Sequence, residues 1–191
     1  MLKDLVLKNR STRKYYQEVA VSRETLVELV DLARLSASGA NRQLLKYYLS
    51  CEPEKNDIIF HHIGLGGNPP EGERPSAYII VLNDTGLGTY RSANVEHPNV
   101  DHGIAGQSIL LGATEKGLGG CMVGIVKRKE LQKALNIPER YEILLVLTIG
   151  EPKVTFVIEV LEPDSENVKG WWDEKGRYHV PKRKLEDIII G

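Results

Sequence analysis

Cysteine is scarce in this 191-residue chain: Cys51 and Cys121 are the only two, and neither CxxC nor CxxH spacing occurs. That argues against a disulfide framework and a zinc module, and a reduced, cytoplasmic chain is the expectation. Charge of one sign is lacking as well. A net charge of −1 provides no basic field for nucleic acid and no acidic tail, so any anion site has to be a local arrangement. No apolar stretch reaches the length of a membrane span, and the opening Met-Leu-Lys-Asp breaks any signal-like run. The nucleotide fingerprints are missing too. There is no GxxxxGKS/T, and none of the Gly-Leu-Gly triplets at residues 64, 86 and 117 completes GxGxxG. A phosphate would therefore not be held by a P-loop or a Rossmann turn.

Metal and nucleophile signatures are equally thin. His61, His62, His97, His102 and His179 show no HExxH or HxH spacing and read as surface or hydrogen-bonded side chains. GxSxG is absent, and Cys121, set among glycines and apolar residues, reads as a structural thiol.

What is present suits one well-cored domain, with 41% hydrophobic and 27% charged residues. Residues 2–9 read as a short amphipathic helix. Ser22 caps a second helix, in which Leu26, Leu29, Val30 and Ala33 recur at helical spacing to about Leu35. Residues 36–43 form a loop and 46–50 a strand. Residues 52–76 are the least regular part, and the Gly/Pro-rich run 64–72 holds no long element. Residues 77–82 and 144–149 read as buried strands. Asp101 is expected to cap a helix through about Lys116, apolar on several faces and so buried nearly all round. A glycine-rich turn, 117–124, leads into a short strand. A helix over 128–136 ends before Pro138, and 156–161 is an edge strand or an arm. Helices and strands alternate without a regular βαβ beat, which favours a mixed α+β domain.

Four polar or glycine-rich stretches remain: 9–13, 36–43, 117–124 and 181–184. Asn9-Arg10-Ser11-Thr12-Arg13 gathers two guanidinium groups and two hydroxyls, the groups that hold a phosphate by charge-assisted hydrogen bonds. A second basic cluster, Lys182-Arg183-Lys184, returns near the end of the chain. Together with the loops between them, the two ends can form one pocket for an anionic ligand.

In combination these stretches resemble the FMN-dependent nitroreductase family over nearly the whole chain. Residues 9–13 look like its N-terminal Arg-Ser-x-Arg motif. Ala37-Ser38-Gly39-Ala40-Asn41-Arg42-Gln43 resembles its Pro-Ser-x-x-Asn-x-Gln loop, with Ala37 in place of proline and Leu44-Leu45 in place of the usual Pro-Trp. Residues 101–120 are similar to its central helix and glycine turn, and Tyr178–Asp187 to its C-terminal basic motif. The segment between the strands 46–50 and 77–82 is short where relatives carry helices that roof the flavin.

The resemblance implies a nitroreductase-like α+β fold, with a mixed, mainly antiparallel sheet surrounded by helices. It implies a single domain over 1–191 in an intertwined homodimer, with 152–191 as an arm around the partner. It also implies FMN as cofactor and NAD(P)H as donor, with hydride passing through flavin N5 to a small planar acceptor such as a nitroaromatic or quinone. Arg10, Ser11 and Arg13 would meet FMN from its phosphate toward its ring, with Lys182 and Arg183 closing on the phosphate. Ser38 and Asn41 would come from the partner subunit, with Gln43 placing their loop. Around Gly120 to Gly124, small residues would let backbone N–H groups approach the ring. The chemistry belongs to the cofactor, so no side chain is named as general acid or base. Flavin binding without turnover, and a reductive dehalogenase-like or flavin-modifying activity on the same fold, are the alternatives. Trp171-Trp172 reads as core or dimer packing.

Overall fold

The near-continuous apolar run 77–82 becomes a central strand of the sheet. Strand β2 (Ala77–Asp84) is buried at every position. It lies between β1 (Leu45–Ser50) and β4 (Tyr141–Gly150), and β3 (Gly119–Val123) joins the far side of β4, giving the order β1-β2-β4-β3 with every pairing antiparallel. The computed structural model describes residues 1–87, 100–162, 165 and 167–191; His97 lies outside them.

Because successive strand residues point to opposite faces, β2 serves two cores. Ala77, Ile79 and Val81 pack with Leu26 and Leu29 of α2 (Arg23–Leu35) and Ile109 of α4 (Asp101–Glu115). Tyr78, Ile80 and Leu82 pack with Ile59 and Phe60 of α3 (Pro53–His61) and Leu131 of α5 (Arg128–Ala134). Helices therefore cover both faces, and a strand covered on both faces has to be largely apolar, as β2 is from Ala77 to Leu82 before it ends in Asn83 and Asp84. The short α1 (Leu2–Lys8) precedes this layer arrangement and delivers the chain to residues 9–13. Ser22 caps α2 as its sequence position suggests, its Oγ accepting from the Thr25 N–H at 3.1 Å.

The C-terminal region builds a second, smaller sheet of β5 (Thr155–Val160), β6 (Trp171–Trp172) and β7 (Arg177–Lys182) in the order β5-β7-β6. Its β5–β7 pairing is parallel and β6–β7 antiparallel, so the mixed character expected of the sheet resides here.

Three expectations change. The first half of the segment read as irregular is helix α3, which begins with Pro53, a residue pre-set for the first helical turn. Asp101 does not cap α4: Val100 holds that position, and Asp101 is the first helical residue with its carboxylate turned to other use. Helix α4 is not buried all round, since Ile104, Gln107 and Glu115 are exposed while Ala105, Ile109 and Ala113 face the core. Its apolar outer positions therefore lie open in the single chain.

Removing the Ile80 side chain from between β2 and α3/α5 leaves a hole no neighbour can fill. Ile80→Ala is expected to lower unfolding free energy by about 2–5 kcal/mol in denaturant melts. Lys129→Ala, at an exposed position of α5, should change it by less than about 0.5 kcal/mol.

Candidate functional site

Strand β3 ends the main sheet, and the polar cluster after α1 covers its edge. Ser11 bridges Gly120 in parallel, and the Thr12 N–H donates to the Gly120 carbonyl at 2.9 Å. A buried chain of hydroxyls fixes this contact. The fully buried Tyr15 hydroxyl lies 2.5 Å from the Thr12 carbonyl and 2.6 Å from Thr148 Oγ1, which in turn lies 3.0 Å from the Cys121 nitrogen. A carbonyl can only accept, so Tyr15 donates to Thr12 and must accept from Thr148. The Cys121 N–H then donates to Thr148, and one directional relay runs from β3 through β4 to the polar cluster. Burial pushes the Tyr15 phenol well above its ordinary range, which keeps the donor in place. Burial likewise pushes the Cys121 thiol up, consistent with a structural role.

Glycine at position 120 is required by packing rather than by a ligand. A Cβ there would lie 2.3 Å from the Thr148 carbonyl oxygen and 2.5 Å from Leu110 Cδ2. The strand can approach α4 this closely only without a side chain. Gly124 differs: it is exposed, nothing lies near its would-be Cβ, and its carbonyl accepts from Arg128 Nη2 at 3.2 Å.

A cavity of about 420 Å³ opens beside this edge and brings the two ends of the chain together. Arg10, Ser11, Arg13 and Gly120 line one side, and Lys182 of β7 closes another. Arg10 donates through Nη2 to the Val6 carbonyl at 2.6 Å, but its buried Nε has no hydrogen-bond partner among the described residues. Burial also draws the Arg10 guanidinium below its ordinary value, the signature of a cation lacking compensation. Arg183 is exposed beyond Lys182, and neither it nor Gly124 lines this cavity.

The remaining residues named from the sequence lie elsewhere on the same chain. Ser38 and Gln43 line a cavity of about 200 Å³ with Asp101 and Tyr47. The loop is held in an uncommon backbone shape, with φ of 50° at Ala40, 52° at Asn41 and 51° at Gln43. The Gln43 Nε2 donates to the Asn41 carbonyl and Oδ1 at 3.3 and 3.1 Å, so its amide braces the turn. The buried Asp101 carboxylate accepts from the Gly39 N–H at 3.0 and 3.2 Å and ties the loop to α4. Ser38 Oγ is buried with no partner among the described residues.

Sequence reasoning missed the aromatic side of the site. Phe156 and Tyr178 are register partners on β5 and β7, and both line the 420 Å³ cavity. The alternation Tyr178, Val180, Lys182 on β7 was the available signal, since it puts all three on one face. His179 points the other way. It is buried, stacked on Trp171 at 4.0 Å between ring centroids, and its Nδ1 and Nε2 lie 2.6 Å from Glu159 and 3.2 Å from Asp173. A carboxylate therefore faces each ring nitrogen, an arrangement that favours the protonated ring. Burial opposes that charge, but Asp173 and Glu159 outweigh it and raise the His179 pKa. Asp173, which accepts from the Arg177 backbone N–H and side chain, is held well below the carboxylate range. Trp171 and Trp172 are both half-exposed, so neither is core.

Comparison with known proteins adds a family. The model of the nitroreductase family matches residues 6–63 and 66–151, that is, the main sheet and its helices. A Cr(VI) reductase from Pseudomonas sp. (strain G-1) is 25% identical over 166 residues, covering 80% of this chain and 67% of its own. Among solved structures, a nitroreductase family protein from Clostridium novyi NT superposes with a TM-score of 0.68 at 22% identity, covering 80% of this chain and 86% of its own. The NADPH:FMN oxidoreductase of Vibrio harveyi, complexed with NAD+, gives a TM-score of 0.64 at 21% identity, with 80% of this chain and 69% of its own covered.

The relay and the histidine clamp make separate predictions. Tyr15→Phe leaves the Thr12 carbonyl without its donor and should cost about 1–3 kcal/mol in stability, with faster amide exchange at Thr12 and Cys121. Because the folded His179 pKa is raised, its stabilisation is complete below the ordinary histidine value and is lost as pH rises through the folded value. Stability measured from pH 5 to 9 should therefore fall on the alkaline side, and His179→Gln should remove that fall.

Proposed function

The chain belongs to the nitroreductase family, and we propose that it works as an FMN-dependent NAD(P)H oxidoreductase acting on a small planar acceptor such as a nitroaromatic or quinone. The observation that carries this reading is the buried Arg10 Nε, without a partner among the described residues, in a cavity that Lys182 also lines. A phosphomonoester supplies what that nitrogen lacks: acceptor oxygens and negative charge. The donor set thus fits FMN, and a cavity of about 420 Å³ is of the size that small-molecule sites occupy. Names among the relatives support the assignment, since one structural neighbour is an NADPH:FMN oxidoreductase and another an FMN-dependent nitroreductase.

A bound FMN would supply the redox chemistry between reduced nicotinamide and acceptor. The chain's own residues bind and orient. Arg10 and Lys182 would hold the phosphate, Ser11 and Arg13 would continue the contact along the β3 edge, and the relay through Tyr15 keeps that edge at fixed height against β3. Among the described residues no carboxylate or histidine lines the 420 Å³ cavity, and no side chain is assigned a proton-transfer role there.

We place the second half of the site in a second copy of the chain. Apolar side chains stay exposed on α1 (Leu2, Val6, Leu7), α2 (Leu32, Leu35) and α4 (Ile104), more than a monomer needs to display. Ser38, with its unpartnered buried Oγ, and Asn41 would then serve the partner's flavin, and the segment 152–191 would reach across the same interface.

The purified protein is expected to be yellow and to bleach when NADH or NADPH is added without oxygen. A colourless protein that refuses added FMN contradicts the proposal, and a yellow protein that does not bleach reduces it to flavin binding without turnover. Arg10→Ala should weaken FMN binding roughly 10- to 100-fold, measured by fluorescence titration of the flavin-free protein.

A further inference from the structure

A second cavity of about 470 Å³ adjoins the first, sharing with it Ser11, Arg13, Phe156 and Tyr178. Its own features are different. Trp172 adds a third ring, 4.9 Å from Tyr178 between centroids and tilted by 59°, while Phe156 meets Tyr178 edge-on at 6.2 Å. The Gly66-Gly67 turn and Pro69 also line this cavity and add no bulky side chain to it. Flat aromatic surfaces beside small residues suit a planar ring.

The charge of the cavity is one-sided. Arg13 and Lys14 both line it, and Lys14 Nζ lies 5.9 Å from the centre of the Trp172 ring. Lys14 is paired with Glu73 at 3.0 Å, but Glu73 also holds Lys153 at 3.0 Å, so one negative charge is divided between two cations. Arg13 has only a long contact, 3.4 Å, to the Ser11 carbonyl among the described residues. The set Arg13, Lys14, Lys153 and Glu73 therefore carries a net positive charge beside three aromatic rings. Residues 152 onward, which supply those rings, lie outside the stretch matched by the family model.

We propose that this cavity binds planar aromatic carboxylates, with the ring among Trp172, Tyr178 and Phe156 and the carboxylate toward Lys14 and Arg13. The proposal rests on the oxidoreductase reading for its consequence: the acceptor class is an aromatic ring that carries both the reducible group and an anionic substituent. For 4-nitrobenzoate the balanced two-electron step consumes one NAD(P)H and one proton. It cleaves one N–O bond and yields 4-nitrosobenzoate, NAD(P)+ and water.

The test compares 4-nitrobenzoate with its neutral counterpart 4-nitrobenzyl alcohol on the flavin-loaded protein. The wild type should show a higher kcat/KM for the anion. Lys14→Gln should lower that value roughly threefold to fivefold and leave the neutral acceptor nearly unchanged. Lys153→Gln leaves Glu73 to Lys14 alone and should weaken the preference for the anion, by less than Lys14→Gln does. In parallel, 4-nitrobenzoate should quench tryptophan fluorescence saturably, and Trp172→Phe should remove most of the saturable part. Equal kcat/KM for the two acceptors, a preference indifferent to Lys14→Gln, or no saturable quenching overturns the proposal. Failure to reduce either acceptor contradicts the oxidoreductase reading instead, and the quenching experiment then still decides whether the carboxylate binds.

Discussion

The site depends on a buried relay of hydroxyl groups, Cys121 N–H to Thr148 to Tyr15 to the Thr12 carbonyl. Each bond alone has a modest net value of about 0.5–1.5 kcal/mol, but they are consecutive and desolvated, so each polarises the next. The relay crosses from the core strands to an otherwise irregular segment. Without it, residues 10–13 would be a basic turn in solvent. With it Ser11 bridges Gly120 at the edge of β3, and the side chains around it acquire a fixed position beside the cavity. Gly120 belongs to the same constraint, because the Thr148 carbonyl and Leu110 allow no side chain where the segment pairs.

Charge is arranged around that edge with little waste. The whole chain is nearly neutral, yet Arg10, Arg13 and Lys182 line a single cavity with no carboxylate on its wall among the described residues. Acidic groups stand one step back: Glu73 ties Lys14 to Lys153, while Glu159 and Asp173 clamp His179 on the opposite face of β7. These pairs fix the walls without neutralising the cavity. The C-terminal sheet thus serves two ends, with Lys182 at the cationic part of the site and Phe156 and Tyr178 along its apolar part.

Much of the fold was legible in local pattern. The continuous apolar runs of β2 and β4, the Ser22 cap and the alternating elements are consequences of nearest-neighbour chemistry, and they stand where the sequence puts them. Helix α3 was hidden because its apolar residues are confined to Ile58, Ile59 and Phe60 at its end, after a polar first half and before glycine and proline. Asp101 was misread because its bond to Gly39 spans 62 residues and leaves no local trace. Tyr15 and Thr148 are 133 residues apart, so the relay could not be read either. The basic ends could be seen as two clusters. That Lys182 rather than Arg183 reaches the cavity follows from strand alternation on β7, which requires knowing where the strand begins.

The central claim is that the two ends of the chain grip one phosphate. A double-mutant cycle measures it: FMN dissociation constants for wild type, Arg10→Ala, Lys182→Ala and the double variant, determined at one ionic strength. Two cations on one phosphate should couple, with an interaction free energy of about 0.5 kcal/mol or more and a double variant whose loss departs from the sum of the singles. Strict additivity, or a Lys182→Ala variant that binds FMN as tightly as wild type, would contradict the account.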